Sequence, residues 1–324
     1  MTMIANYKSV FLNYLEKRVL VQEPENLYLP ITYILSLGGK KLRPILTLMS
    51  ADIFGVDYKK ALDAALTVEV FHNFTLIHDD IMDAAPLRRG HETVHEKWDV
   101  NTGILSGDAM LILAYQYLEN YDAATFKKLI SLFSKTALEV CEGQQMDIDF
   151  ETRNDVTIEE YIKMISLKTS VLVAAALKMG AVIANASEKD IKLIYDFGLN
   201  LGIAFQLQDD YLDAFGDPEA FGKQVGGDII ENKKTYLYLK AIELGSESEK
   251  EILGNLFNTE QHEYQQKIDK VKSIFDSSGA AEKTKEAIKN YTQKAFDVLA
   301  SISIASEKKQ LLREFGEGLM HRNV

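Results

Sequence analysis

The chain has 324 residues, 47% of them hydrophobic, with 36 Lys and Arg against 48 Asp and Glu, a formal net charge of −12. That apolar content can bury a substantial core, and no composition break divides it; the acidic balance, with no long run of Lys or Arg, excludes a nucleic-acid surface and confines any anion site to a local basic pocket. One cysteine, Cys141, excludes an internal disulfide, and with no signal-peptide pattern in Met1 to Lys8 and no apolar run near the length of a membrane span, a cytoplasmic protein is expected.

In chain order, the first patterned segment is Gly38-Gly39-Lys40-Lys41-Leu42-Arg43-Pro44, between two helical stretches. Its glycines give backbone freedom, its cations suit an anion, and Pro44 can open the next helix. Such a turn can cradle a phosphate, although a helix-ending glycine followed by surface lysines reads the same way. Positions 58–84 then read as one helix, since Leu62, Leu66, Val70, Phe74, Ile77 and Ile81 recur at spacings of three and four.

That helix ends in His78-Asp79-Asp80-Ile81-Met82-Asp83, with His72 shortly before. Four residues apart, Asp79 and Asp83 lie roughly 40° from each other on a helix, so two carboxylates point into the same space. Like charges so close repel, and a divalent cation removes the conflict. Mg²⁺ suits such a site because it takes one or two protein carboxylates and completes its shell with water and phosphate oxygens. A solvated acidic helix end accounts equally well for one such cluster. Pro86-Leu87-Arg88-Arg89-Gly90 follows directly, and guanidinium forks match phosphate oxygens, though alone this could be a surface loop.

No proline falls between Pro86 and Pro218, so long helices are permitted, and the apolar pattern predicts them over roughly 102–120, 123–150, 157–186 and 188–215. Thr157-Ile158-Glu159-Glu160 is a capping box with Val156 and Tyr161 placed as a staple, and Ser246 to Glu249 is another box. Lys168-Thr169 interrupts an otherwise apolar helix, where a lysine needs an anionic partner or must snorkel. Near the end of the last long helix, Asp209-Asp210-Tyr211-Leu212-Asp213 repeats the spacing Asp-Asp-x-x-Asp. Facing each other across a cavity, two such clusters could hold several metal ions and a polyanion, which neither could do alone. Lys223 and Lys233 flank the second. After Pro218 come Gly222, Gly226 and Gly227, then shorter amphipathic helices, with no alternating strand pattern.

Together these motifs resemble the head-to-tail (trans) isoprenyl diphosphate synthases of the polyprenyl synthetase family, over nearly the whole chain. The matching segments, in family order, are the Gly38 to Pro44 turn, both acidic motifs, Arg88-Arg89-Gly90, Gly143-Gln144-Gln145-Met146-Asp147, Lys168-Thr169, Phe205-Gln206, and Gly222-Lys223 through Lys233. The departures are Lys41, where Arg is common, and Asn232, where Gly often precedes the lysine. The resemblance implies an all-α fold, one domain over 1–324 built as a large bundle of long helices around a deep central cavity, usually a homodimer. It implies addition of isopentenyl diphosphate to an allylic diphosphate through an allylic carbocation. Lys40, Arg43, His72 and Arg89 resemble the isopentenyl diphosphate site. Arg88, Lys168, Lys223 and Lys233 resemble contacts to the allylic diphosphate. Asp79, Asp83 and Asp209 resemble Mg²⁺ ligands, of which the family implies three ions with bound diphosphate, supported by Asp80, Asp213 and Asp147. Lys168, Thr169 and Gln206 resemble the residues at the reacting end.

The family sets product length with an aromatic five residues before the first Asp, which is Phe74; an ideal wheel instead makes Phe71 the nearer ring. Phe74 beside the small Thr75 is similar to the pattern for geranylgeranyl diphosphate, C20, with farnesyl diphosphate, C15, as the alternative. A class I terpene cyclase would pair the first motif with an Asn/Ser/Glu metal motif and needs no isopentenyl site. An HD-type phosphohydrolase needs a histidine upstream of His72, the first in the chain, and a noncatalytic subunit should have lost acids from one motif. His91, His95 and His262 read as surface or core residues, and Trp98 as packing.

Overall fold

The computed structural model describes residues 3–217, 226–258 and 264–320; Lys223 and His262 lie outside them. The order of elements is α1 Met3–Arg18, α2 Glu25–Ser36, α3 Leu42–Ile53, a 3₁₀ turn Tyr58–Ala61, α4 Leu62–Met82, β1 Leu87–Arg88, β2 His91–Glu92, α5 Val94–Lys97, α6 Val100–Tyr117, α7 Ala123–Thr152, α8 Ile158–Ile165, a π turn Ser166–Ser170, α9 Val171–Ile183 and α10 Glu188–Phe215. A helical turn at Gly227–Ile230 leads to Tyr236–Leu244, Glu247–Asn258, Tyr264–Ser277, Ala280–Ala300 and Ser306–Met320. The fold is all-α, as expected, with one antiparallel pair of two-residue strands among the described residues. Residues 1–135 with 175–192 form one compact unit, and 136–174 with 193–324 a second.

In the first unit α4 is the central helix. Its sequence pattern predicts one apolar stripe, but Ala64, Ala65, Thr67, Val68, Glu69 and Asn73 are buried as well, so the helix is enclosed on nearly every side. Small residues on α6 let it approach closely. A Cβ on Gly107 would fall 2.3 Å from His78 Nε2, and one on Gly103 would fall 2.9 Å from Ile81 Cδ1. Phe71 and Phe74 pack on each other with ring centroids 5.5 Å apart, and Phe71 meets Phe133 edge-on at 5.2 Å.

The second unit has its own core, to which Phe150, Tyr161, Leu207, Leu237, Val271, Phe275 and Ile288 contribute. Both expected capping boxes are present. Thr157 and Glu160 exchange side chain and backbone bonds at the start of α8, and Ser246 and Glu249 do so before Glu247–Asn258. The run Ile158–Ile183 continues through the π turn and is long and apolar enough to cross a membrane, more than the sequence pattern led us to expect, yet 67% of its most apolar window is buried inside the molecule. A core helix of a globular protein has that character.

Candidate active site

In the first unit, the Gly38 to Lys41 turn, the start of α3, the middle of α4 and the β1–β2 hairpin come together. Gly38 and Gly39 have φ of 77° and 110°, values that favour glycine. Arg89 and Gly90, both at positive φ, form the two-residue turn of the hairpin, which matches the strand twist. This turn sends Arg89 back to the glycines, where its Nη1 donates to the Gly38 carbonyl at 2.8 Å. Arg43 Nη1 donates to His72 Nε2 at 3.3 Å. Burial, then the charges of Arg43, Arg89, Arg88 and Lys41, hold His72 well below its ordinary pKa; the ring is neutral, with Nδ1 as its remaining donor. Arg43, His72 and Arg89 are thus brought together as the sequence led us to expect.

Two neighbouring lysines divide their work. Lys40 is exposed, whereas Lys41 is buried, takes a left-handed φ of 52°, and places Nζ 2.9 Å from Glu69 Oε1 and 3.2 Å from the Leu35 carbonyl. Asn73 Nδ2 donates to the same Glu69 oxygen at 3.0 Å. Lys41 is therefore an anchor tying the glycine turn to α4, not a surface cation. Glu69, a charge in the middle of an apolar helix, was the sequence signal for this pair and was missed.

At the end of α4, Asp80 is only 1% exposed and is gripped by Arg88, whose Nε lies 2.8 Å from both carboxylate oxygens and Nη2 2.6 Å from one of them. Burial raises the Asp80 pKa against the opposing pull of Arg88. Asp79 is half-buried and Asp83, which closes the helix, is exposed. Thr75 turns its hydroxyl to the His72 carbonyl at 2.8 Å. Phe71 is fully buried and Phe74 is 8% exposed, with its ring 4.7 Å from that of His78, so Phe74 is the outer ring of the pair.

In the second unit a cavity is lined by Asp147, Tyr161, Lys168, Thr169, Gln206, Asp210, Asp228 and Lys233, with Lys234 at its edge. Lys168 and Thr169 sit in the π turn, a wider coil common at functional sites. Two glycines admit it: a Cβ on Gly143 would fall 2.2 Å from the Lys168 nitrogen, and one on Gly202 would fall 2.8 Å from Ser170 Cα. Lys168 Nζ pairs with Asp147 Oδ2 at 2.5 Å, the anionic partner its position required. Thr169 donates to Gln206 Oε1 at 3.0 Å, and Gln206 Nε2 donates to Asp210 Oδ1 at 2.9 Å. Burial pushes Asp210 up to about 7, Asp209 and Asp213 adding to the shift while bonds from Tyr161 and Gln206 oppose it. Asp213 Oδ2 accepts the Asp228 backbone N–H at 2.9 Å.

Asp228 and Lys234 belong to this site and were not singled out from sequence. Burial and the nearby Asp213 and Asp210 push Asp228 well above the usual carboxylate range. Burial works against the Lys233 ammonium, but Asp228 and Glu231 more than offset it and keep the residue charged. Lys234 donates to the Phe150, Glu151 and Arg153 carbonyls and so closes the C-terminal end of α7.

Residues 24–276 match the family model described as polyprenyl synthetase. The chain belongs to the polyprenyl synthetase family. Its fold matches a solved geranylgeranyl pyrophosphate synthase with TM-score 0.96 at 58% identity, covering 100% of both chains. A geranylgeranyl pyrophosphate synthase of Geoglobus acetivorans is 38% identical over 311 residues, 95% of each chain. The geranylgeranyl diphosphate synthase of Methanosarcina mazei is 43% identical over 227 residues, 69% of this chain and 70% of that protein.

The acidic residues present fit magnesium. Their donors are hard carboxylate oxygens, half-buried or exposed at Asp79, Asp83, Asp209 and Asp213. Among the described residues no three acidic, His or Cys side chains are grouped to hold a metal by themselves. Mg²⁺ does not demand such a cage, because phosphate and water complete its shell.

The Lys41–Glu69 pair should behave as a buried ion pair. Lys41→Met or Glu69→Leu alone strands the other side chain's buried charge and should cost about 3–5 kcal/mol in stability, whereas the two together should cost clearly less. Denaturant melts of the four proteins measure this, and additive losses in the double variant would show that the two side chains are not coupled.

Proposed function

We propose that this polyprenyl synthetase condenses isopentenyl diphosphate with an allylic diphosphate to make geranylgeranyl diphosphate, acting as one functional domain over residues 1–324. The observation that carries the reading is the grouping of Lys168, Thr169 and Gln206 around one cavity, in a chain whose relatives across nearly its whole length include geranylgeranyl diphosphate synthases. Lys40, Arg43, Arg89 and the neutral His72 hold isopentenyl diphosphate. Arg88, Lys168, Lys223 and Lys233 hold the allylic diphosphate. Asp79, Asp83 and Asp209, supported by Asp80, Asp147 and Asp213, would hold three Mg²⁺ ions, which when bound stabilise the negative charge of the departing diphosphate.

The allylic C–O bond breaks with its electron pair leaving on diphosphate oxygen. The isopentenyl double bond then supplies the electrons of the new C–C bond, and the adjacent carbon loses a proton to an oxygen of the released diphosphate. No separate base is needed, which suits a site without a nucleophile and base pair. Phe74, the more exposed of two packed rings, limits the growing chain, with Thr75 beside it and Phe71 behind. The protein acts as a homodimer, for Leu105 and Ile112 are seven residues apart on α6, 60% and 57% exposed, and such a stripe suits burial against another helix. It works in the cytoplasm, with no stable membrane insertion and no nucleic-acid partner.

Incubation of the protein with Mg²⁺, labelled isopentenyl diphosphate and each allylic starter, followed by product sizing, tests the reading. A C20 product is expected. Asp79→Ala and Asp209→Ala should each lower turnover by several orders of magnitude, as loss of transition-state stabilisation does. Phe74→Ala should lengthen the product and Thr75→Phe shorten it. Near-normal turnover in either Asp variant, or a longer product from Phe71→Ala but not from Phe74→Ala, would overturn the corresponding assignment.

The basic residues should separate by substrate. Lys40→Ala or Arg43→Ala should chiefly raise KM for isopentenyl diphosphate and Lys233→Ala that for the allylic diphosphate. Steady-state kinetics with each substrate varied in turn measures this, and equal damage toward both substrates from every variant would contradict it.

A further inference from the structure

Hydrogen bonds among four side chains of the cavity decide which oxygen can face a cation. Tyr161, buried on α8, keeps its proton, because burial and the neighbouring Asp210 charge hold the phenol well above its ordinary range. It therefore donates, and its acceptor is Asp210 Oδ2. The other carboxylate oxygen accepts from Gln206 Nε2 at 2.9 Å, one helical turn back along α10. With its nitrogen turned to Asp210, Gln206 presents Oε1 to Thr169, whose hydroxyl donates to it at 3.0 Å. A hydroxyl has one proton, so Thr169 Oγ1 is left with lone pairs for the cavity it lines. Were the chain reversed, the same oxygen would turn a proton toward the cavity, the wrong sign for a carbocation.

Thr169 sits in a π turn packed closely on two glycines, where a Cβ on Gly143 would fall on the Lys168 backbone and one on Gly202 on Ser170 Cα. We propose that Tyr161 and Asp210 are positioning residues that set the donor-to-acceptor direction of the Gln206–Thr169 pair, so that Thr169 Oγ1 offers electron pairs to the allylic cation. Asp210, although part of the second acidic motif, acts toward Gln206 and Tyr161 and not as a metal ligand. The inference rests on the condensation proposed above.

Reversal and restoration of the direction test it. In Asp210→Asn, Tyr161 donating to the new amide oxygen leaves the amide nitrogen facing Gln206, which then turns its own nitrogen to Thr169. In Gln206→Glu two carboxylates face each other. The double variant Asp210→Asn with Gln206→Glu keeps the net charge, and its amide donates to the new carboxylate, which can again accept from Thr169. Each single variant should lower kcat by about 10²–10³-fold, the scale of one misplaced group in a preorganised charge-stabilising set, with KM for both diphosphates little changed. The double variant should recover at least about tenfold over either single one, a difference of about 1.4 kcal/mol in barrier. Tyr161→Phe, which keeps the ring and its packing, should lower kcat with KM unchanged.

Half-saturating Mg²⁺ is measured for every variant, and circular dichroism checks that each is folded. A double variant no faster than the slower single one, or a recovery that simply follows Mg²⁺ affinity, overturns the proposal. So does a Tyr161→Phe protein with wild-type kcat. If the wild-type protein elongates no allylic diphosphate, the proposed function itself fails; elongation by wild type without rescue in the double variant removes the relay alone.

Discussion

Carboxylates crowded at the ends of two long helices cannot all stay charged unless each finds a partner, and much of the site's architecture follows from that constraint. Three acids within five residues repel one another and oppose helix formation. The protein divides each cluster into members with different tasks. Asp80 is buried and taken up by Arg88, while Asp79 and Asp83 stay closer to solvent. In the second cluster Asp210 turns inward to Tyr161 and Gln206, and Asp213 accepts the Asp228 backbone N–H. One acid in each motif, Asp80 and Asp210, is thus buried against the protein's own side chains.

The same division appears among the cations. Lys41 is spent on Glu69 inside the first unit, and this lets its exposed neighbour Lys40 and the more deeply set Arg43 keep a fixed turn between them. Lys168 lies against Asp147, and the half-buried Lys233 is kept charged by Asp228 and Glu231. If Lys168 and Lys233 hold a diphosphate as proposed, they are already oriented by carboxylates, and less reorganisation would be needed when it binds. The glycines contribute in another way. Gly107 brings α6 against His78, and Gly143 brings α7 against the π turn; in both places the backbone approaches a residue of the site more closely than any side chain would permit.

The long helices were legible because their periodicity is long and unbroken: the predicted 123–150 and 188–215 correspond to Ala123–Thr152 and Glu188–Phe215. The acidic motifs, the glycine turn and Lys168-Thr169 were legible because each places charge or freedom where a plain helix gains nothing from it. What escaped depends on partners distant in sequence. The β1–β2 hairpin has two residues per strand, too few for an alternating pattern. The π turn leaves the apolar spacing of its helix almost unchanged, so only the close glycines reveal it. Lys41 and Glu69 are 28 positions apart, and although Glu69 stands in an apolar helix, nothing near it in sequence names Lys41 as its partner. An ideal wheel separates Phe71 from Phe74 poorly because α4 is buried on nearly every side; Phe71 is fully buried and Phe74 is 8% exposed.

The proposed function requires that the two acidic motifs bind metal and diphosphate together. Mg²⁺ takes only one or two protein carboxylates and completes its shell with phosphate and water, so without diphosphate it should bind weakly. The most direct measurement is a calorimetric titration of inorganic diphosphate into the protein with and without Mg²⁺, matched by titration of Mg²⁺ alone. The account predicts tight diphosphate binding only with Mg²⁺ present, several ions taken up per diphosphate, and the loss of this synergy in Asp79→Ala and in Asp209→Ala. Equal diphosphate affinity with and without Mg²⁺, or saturation by Mg²⁺ alone at low concentration, would contradict it.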